Sequence, residues 1–526
     1  MTRTQNIRKN LIFSSIKYCM QILLQFILRT VLIYYLGAEY LGLNGLFTNI
    51  FSFLNLAELG IGSSIVFSMY KPIAEGDIEK VKSLDGLYRK LYIIISIIVG
   101  SIGLVITPFI KLLMNGGVSV NVNVYVIYLM YLVYTIVGYW SAHKRSLLFA
   151  YQRSDVESKI KTICFASMTI IQIIVLILFN NYYIYFSISI LFMLIECIWI
   201  QLVSRKMFPE IRGKITPLDN TTKKEISKNI AALSMYKIGG AVVFSTDNIL
   251  ISSFLGLVTL GVYSNYSLIT SALVSVFSLL STSIMASVGN LIASSDKEYV
   301  YEKFKLTNFM FSYLSAFTTI CLITLFQPFI LKWTKNAEYL MDLSTVIIIS
   351  MSFYITRMRN NVGVYKEAAG LFWQNRWTPV VEAVVNLVVS IALVFPLGIN
   401  GIFIGTIVST VVMPMWVEPL VLYKHYFKKS VGEYFKRYFI DALIMVCGCI
   451  ICYGICSFIP DGGWLLLIAK FAVCIVLSNV ILILAYLPTA EFKSCWAIVK
   501  KLWGNIKAKF NKKKVVDNVE NNDIEK

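Results

Sequence analysis

The amino-acid sequence predicts an all-α, polytopic membrane protein with about 14 transmembrane helices. Of its 526 residues, 57% are hydrophobic and 15% are charged, whereas soluble domains carry about 25% charged residues. The mean hydropathy is +0.71. Apolar runs of roughly 20 residues, the length that spans a hydrocarbon core of about 30 Å, recur along the chain. Helices satisfy their own backbone hydrogen bonds in lipid, so the runs predict a helical bundle.

The predicted spans follow one another with short connections, none of which is long enough for a soluble domain. In chain order they are predicted at residues 10–36, 41–70, 91–114, 122–142, 162–180, 182–203, 230–254, 262–293, 307–331, 343–365, 377–395, 399–423, 438–459 and 463–487.

The basic residues alternate between rich and poor connections. The formal net charge is +19, and 41 of the 48 Lys and Arg residues fall in the termini and in every second connection. The other connections hold only Lys111, Lys332 and Lys335. Cytoplasmic loops carry this excess, so both termini are predicted to be cytoplasmic. A nucleic-acid partner is excluded, because it would need a basic face on a soluble module.

Neither a metal site nor a cofactor is predicted. Cys447, Cys449, Cys452 and Cys456 resemble a metal motif, but they lie inside an apolar span, where cysteine behaves as a small hydrophobic residue.

The basic tail KKLWGNIKAKFNKKK (500–514) mixes lysines with two aromatic residues. This composition predicts an interfacial helix on anionic membrane lipids. A merely solvated tail is the alternative.

An internal repeat is visible when the chain is aligned with itself so that residue 7 falls on residue 226. At this repeat offset IRKN (7–10) matches ISKN (226–229), and the two Leu-Gly pairs at 36–37 and 41–42 match those at 255–256 and 260–261. Both copies begin in the cytoplasm, which predicts two parallel six-helix lobes. We expect an N-terminal lobe at 1–205, a cytoplasmic linker at 206–225, a C-terminal lobe at 226–427, extra helices 13 and 14 at 428–487, and a basic tail at 488–526.

Polar residues inside the spans mark a candidate substrate site, since ionisable groups there cost at least about 2.5–3.5 kcal/mol each. Gln21, Gln25 and Arg29 share one face of helix 1, and Asn248 is the repeat partner of Arg29. A further stripe follows helix 10. Glu196 and Glu418, near span ends, are interpreted as solvated. The predicted substrate-binding residues are Arg29, Gln25, Gln21, Asn248, Arg357, Arg359 and Lys366.

These residues predict a hydrophilic, cation-lined cavity between the lobes. Arginine offers two parallel donors to phosphate, so the expected cargo is an anionic amphiphile whose apolar tail stays in the bilayer. Three acidic residues, Glu58, Asp247 and Glu382, are candidates for binding a coupling cation, either a proton or Na⁺. Two alternatives stay open. Arg29 could have a purely structural role, in which it pairs with Glu58 or Asp247 and locks helices together. Arg357 and Arg359 could lie below the membrane as ordinary cytoplasmic residues.

One stretch resembles a known family. YYLGAEYLGLNGLFTNIFSFLNLAELGIGSSIVFSMYKPIAEGD (34–77) resembles the opening of the Wzx-like polysaccharide repeat-unit flippases. These belong to the multidrug/oligosaccharidyl-lipid/polysaccharide (MOP) exporter superfamily. The resemblance implies transport of an undecaprenyl-diphosphate-linked oligosaccharide to the outer leaflet of the bacterial cytoplasmic membrane, beside other polysaccharide-assembly proteins. It also implies that cavity cations such as Arg29 hold the head group.

Rival functions predict different features. A drug/cation antiporter of the same superfamily would favour acidic and aromatic groups in the cavity, and a flippase for the peptidoglycan lipid precursor would share the diphosphate chemistry. A membrane glycosyltransferase, polymerase or ligase usually needs a large outer loop for its catalytic groups. The predicted outer connections are short, as in PDGG (460–463), so we expect no enzyme activity.

Overall fold

The computed structural model describes residues 3–58, 61–115, 122–211, 218, 220–498 and 500. The main α-helices in these ranges are α1 (Arg3–Tyr35), α2 (Ala38–Leu54), α3 (Ile61–Glu75), α4 (Ile78–Ile106), α5 (Val124–Tyr139), α6 (Ala142–Ala150), α7 (Ser154–Phe179), α8 (Tyr182–Met207), α9 (Asn220–Ser294), α10 (Lys297–Thr334), α11 (Leu343–Met358), α12 (Asn360–Ala368), α13 (Thr378–Leu397), α14 (Ile399–Val412), α15 (Pro414–Leu422), α16 (Gly432–Ser457) and α17 (Trp464–Tyr486).

The all-α membrane architecture predicted from composition is confirmed. Eleven helices in the described ranges are long and apolar enough to cross a membrane. The count of about fourteen stays a prediction. The structure shows fewer candidate spans than the sequence predicts for two reasons. Some predicted spans are broken into two short helices, as at α2 and α3, and α9 runs through two predicted spans with a kink at Gly256. The tail at 501–526 lies outside the described residues.

Asparagine side chains start helices at the ends of apolar runs. The Oδ1 atom of Asn123 accepts hydrogen bonds from the backbone N–H groups of Tyr125 and Val126 at the start of α5. Asn181 caps α8 in the same way, directly after Asn180 has ended α7 in a left-handed conformation with φ 45°. Such caps satisfy backbone donors that have no partner within the helix.

The internal repeat is present in the backbone. Helices α5 (Val124–Tyr139) and α11 (Leu343–Met358) have the same length, and both their first and their last residues are related by the repeat offset. Each is followed by a break and a second helix of nine residues, α6 and α12. Gly37 and Gly256, related by the same offset, share a left-handed φ, at 86° and 87°. The two halves of the chain therefore bend at matching positions.

The contacts between helices define two compact units with their own boundaries. Unit 1 comprises Met1–Ala272, Ile330–Thr345 and Arg376–Ser409, and unit 2 comprises Leu273–Phe329, Val346–Asn375 and Thr410–Lys526. The predicted division into lobes at 1–205 and 226–427 follows the repeat rather than these boundaries, and it stays a prediction.

Two repeat-related glycines allow a close backbone contact within unit 1. A Cβ atom added at Gly42 would lie 2.8 Å from the carbonyl carbon of Leu257, and one added at Gly261 would lie 2.7 Å from that of Ala38, with the carbonyl oxygen closer still in both cases. Gly261 and Leu257 are the repeat partners of Gly42 and Ala38, so the contact is reciprocal. Small residues permit this approach between membrane helices. The double Leu-Gly step that marks the repeat therefore also joins its two copies.

Candidate functional site

Arg29 lies on α1 in unit 1, half-buried, and its hydrogen-bond partners are neutral. Its Nε donates to Oδ1 of Asn265 at 2.7 Å, and its Nη2 donates to the hydroxyl of Ser264. Asn265 is fully buried. The expected alternative, a pair with Glu58 or Asp247, is wrong in this structure, because no ion pair of Arg29 is found within the described ranges. The guanidinium thus keeps its positive charge with no counter-ion among these residues.

The other predicted residues of this stripe are also half-buried. Gln21 and Gln25 lie on α1, eight and four residues before Arg29, respectively. Asn248 lies on α9. The side chains of further polar residues on these two helices, Ser14, Ser234, Lys237 and Ser245, lie outside what the structure describes.

Unit 2 holds a buried ionic cluster built by α12, α15 and the break that precedes α12. The Nζ atom of Lys366 donates to Oε1 of Glu418 at 2.6 Å, and Nε of Arg359 donates to Oε2 of Glu418 at 3.1 Å. Lys366 and Glu418 are 3% and 4% exposed. The interpretation of Glu418 as a solvated residue is therefore wrong. The Glu418 carboxylate accepts three charge-assisted hydrogen bonds, two from Arg359 and one from Lys366, and such bonds are stronger than neutral ones.

Arg357 adds a further positive charge beside this cluster. Its Nε is buried and has no hydrogen-bond partner in the described part of the chain, and its guanidinium carbon lies 5.9 Å from the centre of the Phe353 ring. Arg357 stands two residues before Arg359, which is bonded to Glu418, so the three predicted cationic residues of unit 2 lie in or next to this cluster.

Replacing Glu418 with glutamine should strongly destabilise unit 2. The change leaves Lys366 buried and Arg359 half-buried beside a neutral amide, and removing one partner of a buried pair costs about 3–5 kcal/mol. We expect a lower midpoint of thermal unfolding for the purified protein in detergent. Glu302→Gln is the control, because its pair with Lys305 is exposed, with 57% of the Glu302 side chain accessible. That change should shift stability by less than about 0.5 kcal/mol. Equal midpoints for the two variants would contradict the expectation.

The first half of the chain carries a corresponding ion pair. Nη1 of Arg145, on α6, lies 4.0 Å from Oε1 of Glu196, on α8. Glu196 is buried, so the interpretation of Glu196 as a solvated residue is also wrong. Arg145 also donates to the carbonyl oxygen of Gly138 at 2.6 Å. The two repeats thus share an arrangement. The nine-residue helix α6 places Arg145 beside Glu196, and the nine-residue helix α12 places Lys366 beside Glu418.

Asp247 belongs to a network of oxygen-bearing side chains in unit 1. The hydroxyl of Thr406 donates to Oδ2 of Asp247 at 3.1 Å, and Nδ2 of Asn386 donates to Thr406 at 3.0 Å. The other carboxylate oxygen of Asp247, Oδ1, is buried and has no partner in the described residues. Glu382 is buried on α13, one turn before Asn386. The structure therefore places two of the three predicted coupling residues on the helices that build this network.

Glu58 belongs to different contacts. It accepts a hydrogen bond from the hydroxyl of Tyr92, which in turn accepts one from Tyr88 at 3.2 Å. Ser146 donates to Tyr88 at 2.9 Å. Glu58 thus ends a chain of hydroxyl groups and is not part of the Asp247 network.

Sequence reasoning missed the neutral partners of these sites. Ser264 and Asn265, which hold Arg29, and Thr406, which holds Asp247, are common polar residues with no distinctive spacing. One signal is present on α13, where Glu382, Asn386 and Ser390 repeat every four residues and are all buried. Such a stripe indicates a polar face turned into protein.

Comparisons with known proteins identify the family and the fold. A family model described as polysaccharide biosynthesis protein matches residues 7–288. No protein of curated function matches the chain by sequence. Among solved structures, the lipid II flippase MurJ in an inward closed conformation is similar with a TM-score of 0.66 at 14% identity, covering 90% of this chain and 99% of that one.

Two further similar structures are MATE transporters. A MATE family transporter of the MOP superfamily in an inward-facing conformation has a TM-score of 0.59 at 14% identity, covering 77% of this chain and 94% of its own. A mutant of the MATE transporter VcmN from Vibrio cholerae has a TM-score of 0.55 at 14% identity, with coverages of 81% and 98%. The family match spans more than half of the chain, so the chain belongs to the polysaccharide biosynthesis protein family, and its fold is similar to that of the MurJ and MATE transporters.

Proposed function

We propose that the protein flips an undecaprenyl-diphosphate-linked oligosaccharide from the inner to the outer leaflet of the bacterial cytoplasmic membrane, for the synthesis of a cell-surface polysaccharide. The observation that supports this most is Arg29. Its guanidinium lies in a candidate membrane span and is bonded by Asn265 and Ser264, which are neutral. Such a charge costs at least about 2.5–3.5 kcal/mol at a helix centre, and an anionic cargo offsets that cost.

The type of anion follows from the side chains. Guanidinium groups bind phosphate through two parallel N–H donors, a geometry that also matches carboxylate and that an ammonium group lacks. In unit 2, Arg357, Arg359 and Lys366 are the second set of predicted phosphate-binding cations, with Arg359 and Lys366 bonded to Glu418. A diphosphate has enough negative charge for either site, and its polyprenyl tail suits the apolar surface of the helices.

The proposed orientation is supported by the sequence, and the proposed mode of transport is supported by the internal repeat. The 41 basic residues of the termini and alternate connections favour cytoplasmic termini. The matching bends of the two repeats are typical of transporters that work by alternating access. Anionic lipids at the basic tail and other polysaccharide-assembly proteins are the partners that this function implies.

A coupling cation fits the Asp247 network. Hard cations prefer oxygen ligands, and Asp247 with Thr406 and Asn386 supplies a carboxylate, a hydroxyl and an amide. The Oδ1 atom of Asp247, unpartnered among the described residues, is available to a proton or to Na⁺. Binding at this carboxylate would then bias the protein between conformations that differ in their affinity for the cation.

Asp247→Asn should remove the dependence of transport on the coupling ion. The amide keeps the size of the side chain and loses its negative charge, so neither a proton nor Na⁺ gains binding free energy there. The measurement is the flipping rate in proteoliposomes under an imposed Na⁺ gradient and, separately, a pH gradient. Asp342→Asn, at an exposed carboxylate of the same unit, is the matched control. If Asp247→Asn still responds to the same gradient as the wild type, this carboxylate does not bind the coupling ion.

The proposed function is tested on lipid extracts from cells with and without the protein. Loss of the protein should make a diphosphate-linked oligosaccharide accumulate in the membrane, detected by mass spectrometry, while the surface polysaccharide disappears. Accumulation of the peptidoglycan precursor instead would identify that lipid as the cargo. If neither lipid pool nor polymer changes, the proposal fails and drug or cation efflux becomes the function to test.

A further inference from the structure

We infer that an aromatic cavity at the end of α1, in unit 1, is a binding site for the sugar part of the transported lipid. This inference rests on the proposed function and on the predicted cytoplasmic termini, which place the end of α1 outside. The cavity has a volume of about 400 Å³. Its lining comes from the last turns of α1, the end of α10 and the segment that follows: Thr30, Val31, Ile33, Tyr34, Tyr35, Trp333, Thr334, Lys335, Asn336 and Tyr339.

The lining has the chemistry that carbohydrates require. Four aromatic rings, of Tyr34, Tyr35, Trp333 and Tyr339, line one concave space together with hydroxyl, amide and ammonium groups. Sugar rings present C–H groups on their faces and hydroxyl groups at their edges, so they pack on aromatic faces and exchange hydrogen bonds with such polar neighbours. Aromatic residues that only anchor a helix at the membrane interface need no common cavity.

Part of the cavity is already held in place. Trp333 packs on Phe26 with ring centres 5.3 Å apart, and its Nε1 donates to the hydroxyl of Thr30 at 2.7 Å. Tyr34, in contrast, is 83% exposed and contacts one ring, that of Tyr35, edge-on with ring centres 5.2 Å apart. Trp333 therefore forms a rigid wall, whereas the Tyr34 ring is available to a ligand.

The cavity adjoins the proposed phosphate site. Thr30, which lines the cavity, follows Arg29 directly on α1. Tyr34 stands five residues after Arg29 along α1, which is about 7.5 Å at 1.5 Å per residue. A diphosphate near Arg29 would thus place the sugars beyond the first one beside the Tyr34 ring on the way out. We expect the cavity to bind the sugars of the repeat unit while the phosphate leaves Arg29.

The test compares two lipids in proteoliposomes that contain the purified full-length protein. One is the lipid-linked repeat unit isolated from cells that lack the protein, and the other is undecaprenyl diphosphate carrying a single N-acetylhexosamine. Transport is followed by oxidation of exposed sugars with periodate, which does not cross the membrane. The variants are Tyr34→Ser, which removes the ring, and Tyr34→Phe, which keeps it.

Tyr34→Ser should slow transport of the full repeat unit by about fivefold or more and leave the single-sugar lipid within about twofold. Tyr34→Phe should transport both lipids like the wild type, because stacking needs the ring rather than the hydroxyl. Phe458→Ser is the matched control, at an 88% exposed aromatic residue directly after α16, and it should leave the transport of both lipids unchanged. Folding should be unaffected in each variant, since these side chains are exposed.

Two results would overturn the inference. If Tyr34→Ser slows both lipids equally or neither, the cavity does not bind the sugars, although the flippase function stands. If the wild-type protein transports neither lipid, the proposed function fails and the sugar site fails with it.

Discussion

Replacing Arg29 with glutamine is expected to lower the transport rate of the lipid-linked oligosaccharide by about 10- to 100-fold. Hydrogen bonds to a charged group contribute about 1.5–3 kcal/mol each, and glutamine offers phosphate no positive charge. Arg29→Lys should fall between the wild type and Arg29→Gln, since it keeps the charge and loses the two parallel donors. The measurement is the initial rate of flipping in proteoliposomes at equal protein content.

Two controls separate binding from structure. Lys17→Gln, on the same helix and half-buried, should transport within about twofold of the wild type, because Lys17 lies 12 residues before Arg29, about 18 Å along the helix, and is not among the predicted substrate-binding residues. Asn265→Ala removes the hydrogen bond to Arg29 Nε and leaves the guanidinium charge in place. If Asn265→Ala is as inactive as Arg29→Gln, the function of Arg29 is to hold α1 against α9, and its positive charge does not bind the transported lipid.

Adding a single methyl group at Gly42 is expected to destabilise unit 1. The Cβ of alanine would lie 2.8 Å from the Leu257 carbonyl carbon, which is a backbone atom that no side-chain rotation can move. Overpacking of this kind costs about 1–3 kcal/mol. Gly42→Ala should therefore lower the midpoint of thermal unfolding in detergent, and Gly261→Ala, which would meet the Ala38 carbonyl carbon at 2.7 Å, should lower it by a similar amount.

The control is a glycine on the next turn of α2. A Cβ at Gly45 would lie 3.6 Å from Cγ of Leu260, which is ordinary van der Waals contact, so Gly45→Ala should unfold at the wild-type temperature or slightly above it. An unchanged midpoint for both Gly42→Ala and Gly261→Ala would show that the backbone contact is not maintained in the folded protein.

The features that depend on composition and periodicity could be predicted from the sequence. The apolar runs indicate a helical membrane protein, and the internal repeat anticipates the shared left-handed φ of Gly37 and Gly256. The polar stripe on α1 singles out Arg29. These features depend on residues that are close in sequence or lie at a fixed spacing, so they can be read directly from the sequence.

The features that depend on which helices meet could not be predicted. The break between α11 and α12 falls at Arg359, an ordinary helix-forming residue, so no local signal marks it. Glu418 stands near a span end, and only the approach of α12 shows that it is buried against Lys366. The partners of Arg29 are 235 and 236 residues away in the chain, beyond any pattern read from neighbouring residues.

The reciprocal contact at Gly42 and Gly261 restrains how the two copies of the repeat can drift apart in sequence. After a duplication, Arg29 and Asn248 were free to become different, because each faces its own surroundings. Gly42 and Gly261 are not free in that way, since each accommodates the backbone of the other copy. Any larger residue in one copy requires a backbone shift in the other. The two copies of the repeat can therefore differ in the charges of their side chains, while the backbone around these two glycines stays the same in both.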